Sequence, residues 1–194
     1  MKTKVGVLIS GRGSNMLSLV RAAKDPAYPA EIALVLSNKP DAGGLARAEA
    51  EGVAAQAIDG KAFGKDRQAH ERAMDAALRA AGVQVVCLAG YMRLLTPWFV
   101  DAWSGRMLNI HPSLLPDFKG LGTHARALAA GVAEAGCTVH IVTAELDDGP
   151  ILGQARVPVL PGDTEETLAA RVLEAEHGLY LACLAEFCRS LPPA

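Results

Sequence analysis

No run of apolar residues in this 194-residue sequence reaches the roughly 18 that would suggest a membrane span. The opening Met-Lys-Thr-Lys leads straight into a strand-like pattern rather than an apolar leader, so the expected setting is cytoplasmic, with no membrane partner. Neither sign of charge is in surplus: 19 Lys and Arg stand against 21 Asp and Glu, for a formal net charge of −2. That balance argues against a general nucleic-acid binder, which needs a basic surplus to neutralise phosphates. Cysteine is scarce and unpatterned. Cys87, Cys137, Cys183 and Cys188 show no Cys-x-x-Cys spacing and sit in apolar surroundings, as buried thiols do, rather than as a disulfide or metal framework. His70, His124, His140 and His177 are dispersed with no His-Glu-x-x-His pattern, so no metal is expected. Low-complexity linkers and repeats of solenoid period are also missing. What is present is 51% hydrophobic and 21% charged residues, the composition of an ordered globular chain that fits one domain over residues 1–194.

Within that domain, strand-like and helix-like runs alternate, the pattern of a doubly wound, mostly parallel α/β sheet with helices on both faces. Strands are expected at Lys4 to Ile9, Glu31 to Leu36, Ala54 to Ile58, Val83 to Ala89, Met107 to Ile110, Thr138 to Val142 and Gly153 to Pro158. Helices are expected over Asn15 to Lys24, Gly44 to Glu51, Asp66 to Ala81, Pro97 to Trp103, His124 to Ala130 and Glu165 to Arg189. The run Val85-Val86-Cys87-Leu88-Ala89 is apolar on both faces, as a buried parallel strand must be. Asp163 and Glu166 stand at capping-box spacing before the last helix, where Leu168, Val172, Ala175, Leu179 and Cys183 form an apolar stripe with Glu176 at its edge.

Strand one runs into Ser10-Gly11-Arg12-Gly13-Ser14-Asn15 and then a helix. Backbone N–H groups at a glycine-rich helix start can surround an anion, aided by the helix dipole and the Ser14 hydroxyl. The other reading is a tight turn whose glycines serve φ alone. A dinucleotide fits less well, because Met16 occupies the third glycine position and Ser37-Asn38-Lys39 lacks the ribose-binding acid. A Walker loop is excluded for want of a following Gly-Lys-Ser/Thr. A monophosphate remains.

The densest chemistry lies in Asn109-Ile110-His111-Pro112-Ser113-Leu114-Leu115-Pro116, answered some thirty residues later by Leu146-Asp147-Asp148-Gly149-Pro150. Strand alternation puts Asn109 and His111 on one side of a strand that Pro112 should stop. An amide donor, an imidazole and a loop carboxylate can polarise a carbonyl and move protons at neutral pH. Taken singly, a His after a strand is more often structural, and Asp-Gly-Pro is only a turn signal.

The two runs together resemble the folate-dependent formyltransferases. The resemblance implies formyl transfer from 10-formyltetrahydrofolate to an amine, with Asn109, His111 and Asp147 as the catalytic set. The branch of that family acting on glycinamide ribonucleotide, in purine biosynthesis, has Gly-x-Gly-Ser-Asn at the glycine-rich loop. It therefore implies that Gly11, Arg12, Gly13, Ser14 and Asn15 hold the ribonucleotide phosphate, and that Glu176 meets its ribose or glycinamide part. For the folate, it implies Met92, Arg93, Leu94 and Leu95 around the pteridine and Asn109 at the formyl end. Arg93 and Arg67 would lie near the glutamate tail, where an Arg fork suits a carboxylate. The phosphate loop would lie in the N-terminal half, and the catalytic and folate-binding loops in the C-terminal half.

Relatives acting on initiator tRNA, or hydrolysing the folate, carry an additional domain that is not expected here. Gly122 stands where the family often has a bulkier residue, which would loosen the nearby loop. His124 and His140 receive no catalytic role, and His140, inside an apolar strand, reads as a hydrogen-bonded core residue. A formyltetrahydrofolate hydrolase and a non-catalytic nucleotide- or folate-binding module stay open as alternatives. A monomer or a homodimer is expected.

Overall fold

The structure is a computed structural model and describes residues 1–192. Its seven strands are β1 (Thr3–Ile9), β2 (Ala30–Ser37), β3 (Ala55–Ala57), β4 (Val85–Leu88), β5 (Met107–His111), β6 (Glu134–Ile141) and β7 (Ile151–Pro158). The α-helices are α1 (Ser14–Ala23), α2 (Gly43–Ala50), α3 (Arg67–Ala80), α4 (Pro97–Ala102), α5 (Thr123–Ala130) and α6 (Glu165–Ser190). A single sheet has the order β3-β2-β1-β4-β5-β6-β7, parallel from β3 to β5 and antiparallel for β6 and β7. The expected doubly wound sheet is therefore present.

Alternation in the parallel strands feeds two cores. Val5, Val7, Ile9, Val85 and Cys87 pack toward Met16, Leu19, Leu168, Val172 and Tyr180 on one face. Leu8, Val86 and Leu88 pack toward Met74, Leu78, Phe99 and Trp103 on the other. The four cysteines are buried and free, and burial pushes the Cys87 and Cys137 thiols up to about 12. They are core residues.

Three local readings need correction. β6 begins at Glu134 rather than Thr138, and β7 at Ile151 rather than Gly153, because Gly136 is required inside the antiparallel pair: a Cβ there would collide with the Ala155 carbonyl. The glycine here permits close approach of two backbones. The cap of α6 is Thr164 with Thr167, not Asp163 with Glu166. Arg171 takes the Asp163 carboxylate in two bonds of 2.7 and 2.9 Å, and Leu160 N donates to it as well. Finally, a 3-10 turn at Gly60–Phe63 follows β3 where no element was expected.

Candidate active site

The chain leaves β1 toward β2 and β3, then returns to place β4 on the other side of β1. Such a reversal opens a crevice at the carboxyl ends of the two central strands. The glycine-rich loop follows β1 and the segment Gly90–Pro97 follows β4, so the two walls of the crevice are the two stretches that sequence singled out.

On the first wall, Gly13 adopts φ +69° and serves as N-cap of α1, whose first turn has no side-chain cap and no acidic residue. The unpaired N–H groups of that turn are open donors for an anion. Gly11 and Arg12 are exposed, while Ser14 and Asn15 are half-buried. Asn15 Nδ2 donates to Glu176 Oε2 at 3.1 Å, and Asn15 Oδ1 is buried without a partner among the described residues. Glu176 lies in the middle of the buried α6 stripe Leu168, Val172, Glu176, Tyr180, Leu184, not at its edge. Burial pushes its carboxyl up, partly offset by Asn15.

The two glycines are not equivalent as probes. A Cβ at Gly13 would meet Met16 Cε at 2.8 Å and Gly44 Cα at 3.1 Å, so a side chain there strains the fold itself, whereas Gly11 has nothing within 4 Å. Gly11→Val is expected to leave thermal stability nearly unchanged and to raise KM for a phosphorylated acceptor by about tenfold or more, by obstructing the approach of the anion to backbone N–H groups. Steady-state kinetics with both substrates varied checks this, since equal damage to both KM values would place the phosphate elsewhere.

The second wall is held from behind by side chains that no local pattern reveals. The buried Ser10 hydroxyl donates to Asn38 Oδ1 at 2.6 Å and accepts from Met92 N at 2.8 Å, and Ser10 N donates to Gly90 O. At the far end of the segment, the buried Glu71 carboxylate accepts from Thr96 N at 2.8 Å and from the Thr96 hydroxyl. Between these staples Met92 and Leu94 are exposed, at 63% and 64%. Leu95 and Arg93 are half-buried. Arg67 makes no ion pair among the described residues; its Nη1 donates to Leu94 O at 3.3 Å.

Asn109 and His111 stand side by side at the end of β5, which stops at Pro112 as expected. Antiparallel pairing sets His140 of β6 directly opposite Asn109. His140 Nδ1 lies 3.1 Å from Ile141 O, which can only accept, so Nδ1 carries the proton. Burial keeps the ring's proton affinity below the ordinary histidine value, the ring is neutral near pH 7, and Nε2 is left to accept from Asn109 Nδ2 at 3.3 Å. One amide N–H is thus fixed by His140, and the other has no partner among the described residues. His140 is buried and hydrogen-bonded as expected, yet its partner is the candidate catalytic amide.

His111 is 6% exposed. Its Nε2 donates to Phe118 O at 3.0 Å and its Nδ1 lies 3.5 Å from Asp147 Oδ2. Asp147 Oδ2 also accepts from Gly120 N at 2.9 Å, and Oδ1 is 3.8 Å from His140 Nε2. Asp147 and Phe118 both have positive φ, 49° and 53°. Aspartate tolerates that region better than most residues. Residues 118–122 therefore hold His111 and Asp147 through their backbone. Gly122, at φ +66°, is the N-cap of α5, a conformation in which a bulkier residue is strained. The loop is not left loose: Arg126 Nη1 donates to Lys119 O at 2.6 Å and Leu121 O at 3.1 Å, and its guanidinium covers the Phe118 ring.

Fold and site together define a doubly wound α/β protein with an Asn–His–Asp cluster, its His and Asp buried and its Asn half-buried, at the carboxyl end of β5 beside the switch-point crevice. The chain belongs to the formyl transferase family, whose model matches residues 3–184. It is 47% identical over 174 residues to phosphoribosylglycinamide formyltransferase of Escherichia coli K12, covering 90% of this chain and 82% of that protein. It is 50% identical over 183 residues to the trifunctional purine biosynthetic protein adenosine-3 of Gallus gallus, covering 94% of this chain but spanning only 18% of that larger protein's length. Among solved structures, phosphoribosylglycinamide formyltransferase from Brucella melitensis aligns over 100% of both chains with TM-score 0.93 and 56% identity. Glycinamide ribonucleotide transformylase 1 from Symbiobacterium toebii aligns with TM-score 0.94 and 46% identity, over 97% of this chain and 88% of that one.

Proposed function

We infer that this chain transfers the formyl group of 10-formyltetrahydrofolate to the amine of glycinamide ribonucleotide, a step of purine biosynthesis, within one domain and with no metal. The observation that carries the reading is the convergence of Asn109, His111 and Asp147 at the end of β5, at the same end of the sheet as a helix start with open N–H donors after β1 and a stapled, half-apolar segment after β4. The ribonucleotide phosphate sits at Gly11 to Asn15, with Glu176 beside the ribose or glycinamide part. The folate lies along Met92 to Leu95, its tail toward Arg93 and Arg67, and its formyl group at Asn109.

In that arrangement the acceptor amine is itself the nucleophile, so no enzyme Ser or Cys is required. It attacks the formyl carbon while the free Asn109 N–H stabilises the charge developing on the formyl oxygen, with His111, held between Phe118 O and Asp147, beside it to take part in the proton transfer. Groups already fixed in place do this best, and here His140 fixes the amide and Phe118 O fixes the ring. Asp147 orients His111 and assists the net transfer of a proton from the amine to N10 of the folate.

The test mixes the protein with 10-formyltetrahydrofolate, with and without glycinamide ribonucleotide, and follows deformylation. Turnover should require the acceptor, and glycinamide without the ribose phosphate should be a poor acceptor even at high concentration, because remote binding energy positions the amine. Rapid acceptor-independent release of formate would make the protein a hydrolase, and no turnover with any acceptor would leave a binding role.

A further inference from the structure

The two backbone groups that hold His111 and Asp147, Phe118 O and Gly120 N, belong to one short stretch, residues 118–122. Little within that stretch fixes its shape. Leu121 is 78% exposed, so burial does not anchor the tip, and the Lys119 ammonium reaches Asp148 only at the surface. Phe118 adopts φ 53°, a region in which a bulky aromatic residue is an outlier. Such a conformation persists only where its surroundings impose it. The site depends on it, because the carbonyl of that same residue receives His111 Nε2 at 3.0 Å.

The constraint comes from α5, which follows the loop. Arg126 Nη1 donates to Lys119 O and to Leu121 O, the carbonyls on either side of Gly120, and among the described residues no other donor reaches them. The guanidinium carbon stands 5.5 Å from the centre of the Phe118 ring, within reach of cation–π attraction. Its stem passes beside Gly122, where an added Cβ would lie 3.9 Å from Arg126 Cδ. One guanidinium therefore grips the ring of the strained residue and the backbone on both sides of the Asp147 tie. A planar fork loses less freedom in such a grip than an ammonium would. Arg126 is exposed and has no carboxylate partner among the described residues, so neither the core nor an ion pair accounts for its placement.

We propose that Arg126 is a positioning residue for formyl transfer, acting not on the substrates but through the 118–122 backbone that orients His111 and Asp147. The proposal rests on the reading of those two residues as catalytic.

The experiment measures kcat and both KM values in the full chain for Arg126→Met, which keeps most of the stem and removes the donors, for Arg126→Lys, and for Arg126→Ala with and without millimolar guanidinium chloride. Thermal unfolding of each variant accompanies the kinetics. Arg126→Met and Arg126→Ala should lower kcat by about 10–100-fold, the scale of a small misplacement of reacting groups, with both KM values little changed. Arg126→Lys should recover part of the loss, and guanidinium should raise kcat of the alanine variant while leaving the wild type unchanged. Hydrogen exchange of the Gly120 amide, which needs no turnover, should be faster in Arg126→Met than in the wild type. A kcat near wild type in Arg126→Met, or unchanged exchange at Gly120, overturns the proposal. So does a rise in one KM with kcat intact, which would make Arg126 a binding residue, and so does a loss that follows a lowered melting temperature and that neither lysine nor guanidinium reverses. If the wild type itself transfers no formyl group, the catalytic reading fails and the proposal falls with it; an active wild type beside an unimpaired methionine variant sinks the proposal alone.

Discussion

Replacing His111 by alanine is expected to lower kcat by about two to four orders of magnitude, the range for a positioned acid–base or oxyanion group, while both KM values stay within a few fold. The ring sits at the end of a strand with one nitrogen tied to Phe118 O and the other facing Asp147, so its orientation does not depend on a substrate to set it. Truncation leaves the Phe118 carbonyl and the Asp147 carboxylate short of a partner in a buried place, which costs about 1–3 kcal/mol of stability. A lowered melting temperature is therefore expected alongside the rate loss, and the two are separated by assaying well below the transition. A folded variant with near-normal kcat would make His111 a structural residue that merely ties the 118–122 loop to β5.

The fold was legible because its central strands β1, β4 and β5 are buried on both faces and because Pro112 and the glycine-rich turn mark strand ends by backbone chemistry alone. Asn109 and His111 could be paired from alternation, and Asp147 from the specificity of the two runs taken together. The misread places share a cause. The start of β6 goes unread until Ala155 of the partner strand is known to face Gly136, Asp163 looks like a cap until Arg171 takes it, and Glu176 looks peripheral until Asn15, 161 positions away, bonds it. The supports of the site were illegible for the same reason. Ser10 with Asn38, Glu71 with Thr96 and His140 with Asn109 are contacts between elements brought together by topology, and no periodicity within one element encodes them. His140 in particular has the burial of an ordinary core residue, and only its register opposite Asn109 separates it from one.

Asp147→Asn should lose kcat nearly as severely as His111→Ala, by about 10²–10⁴-fold if the carboxylate serves the proton transfer, with the fold retained. The substitution is chosen by the backbone: Asp147 has φ 49°, and asparagine is among the residues that accept the left-handed region readily. Its side-chain oxygen can still accept from Gly120 N, so the loop keeps its tie to the site. What changes is charge. An amide in place of the carboxylate can neither stabilise a proton on His111 Nδ1 nor take one up, which separates electrostatics from shape. Asp148 supplies the control, because it is exposed, neighbours Asp147 in the same turn and, among the described residues, pairs only with Lys119 on the surface. Exposed pairs contribute little, so Asp148→Asn should stay within about twofold of wild-type activity. Equal losses in the two variants would mean that the turn needs negative charge in general. Activity of Asp147→Asn above about half of wild type would reduce the residue to a turn former, the role that its Gly-Pro neighbours alone suggest.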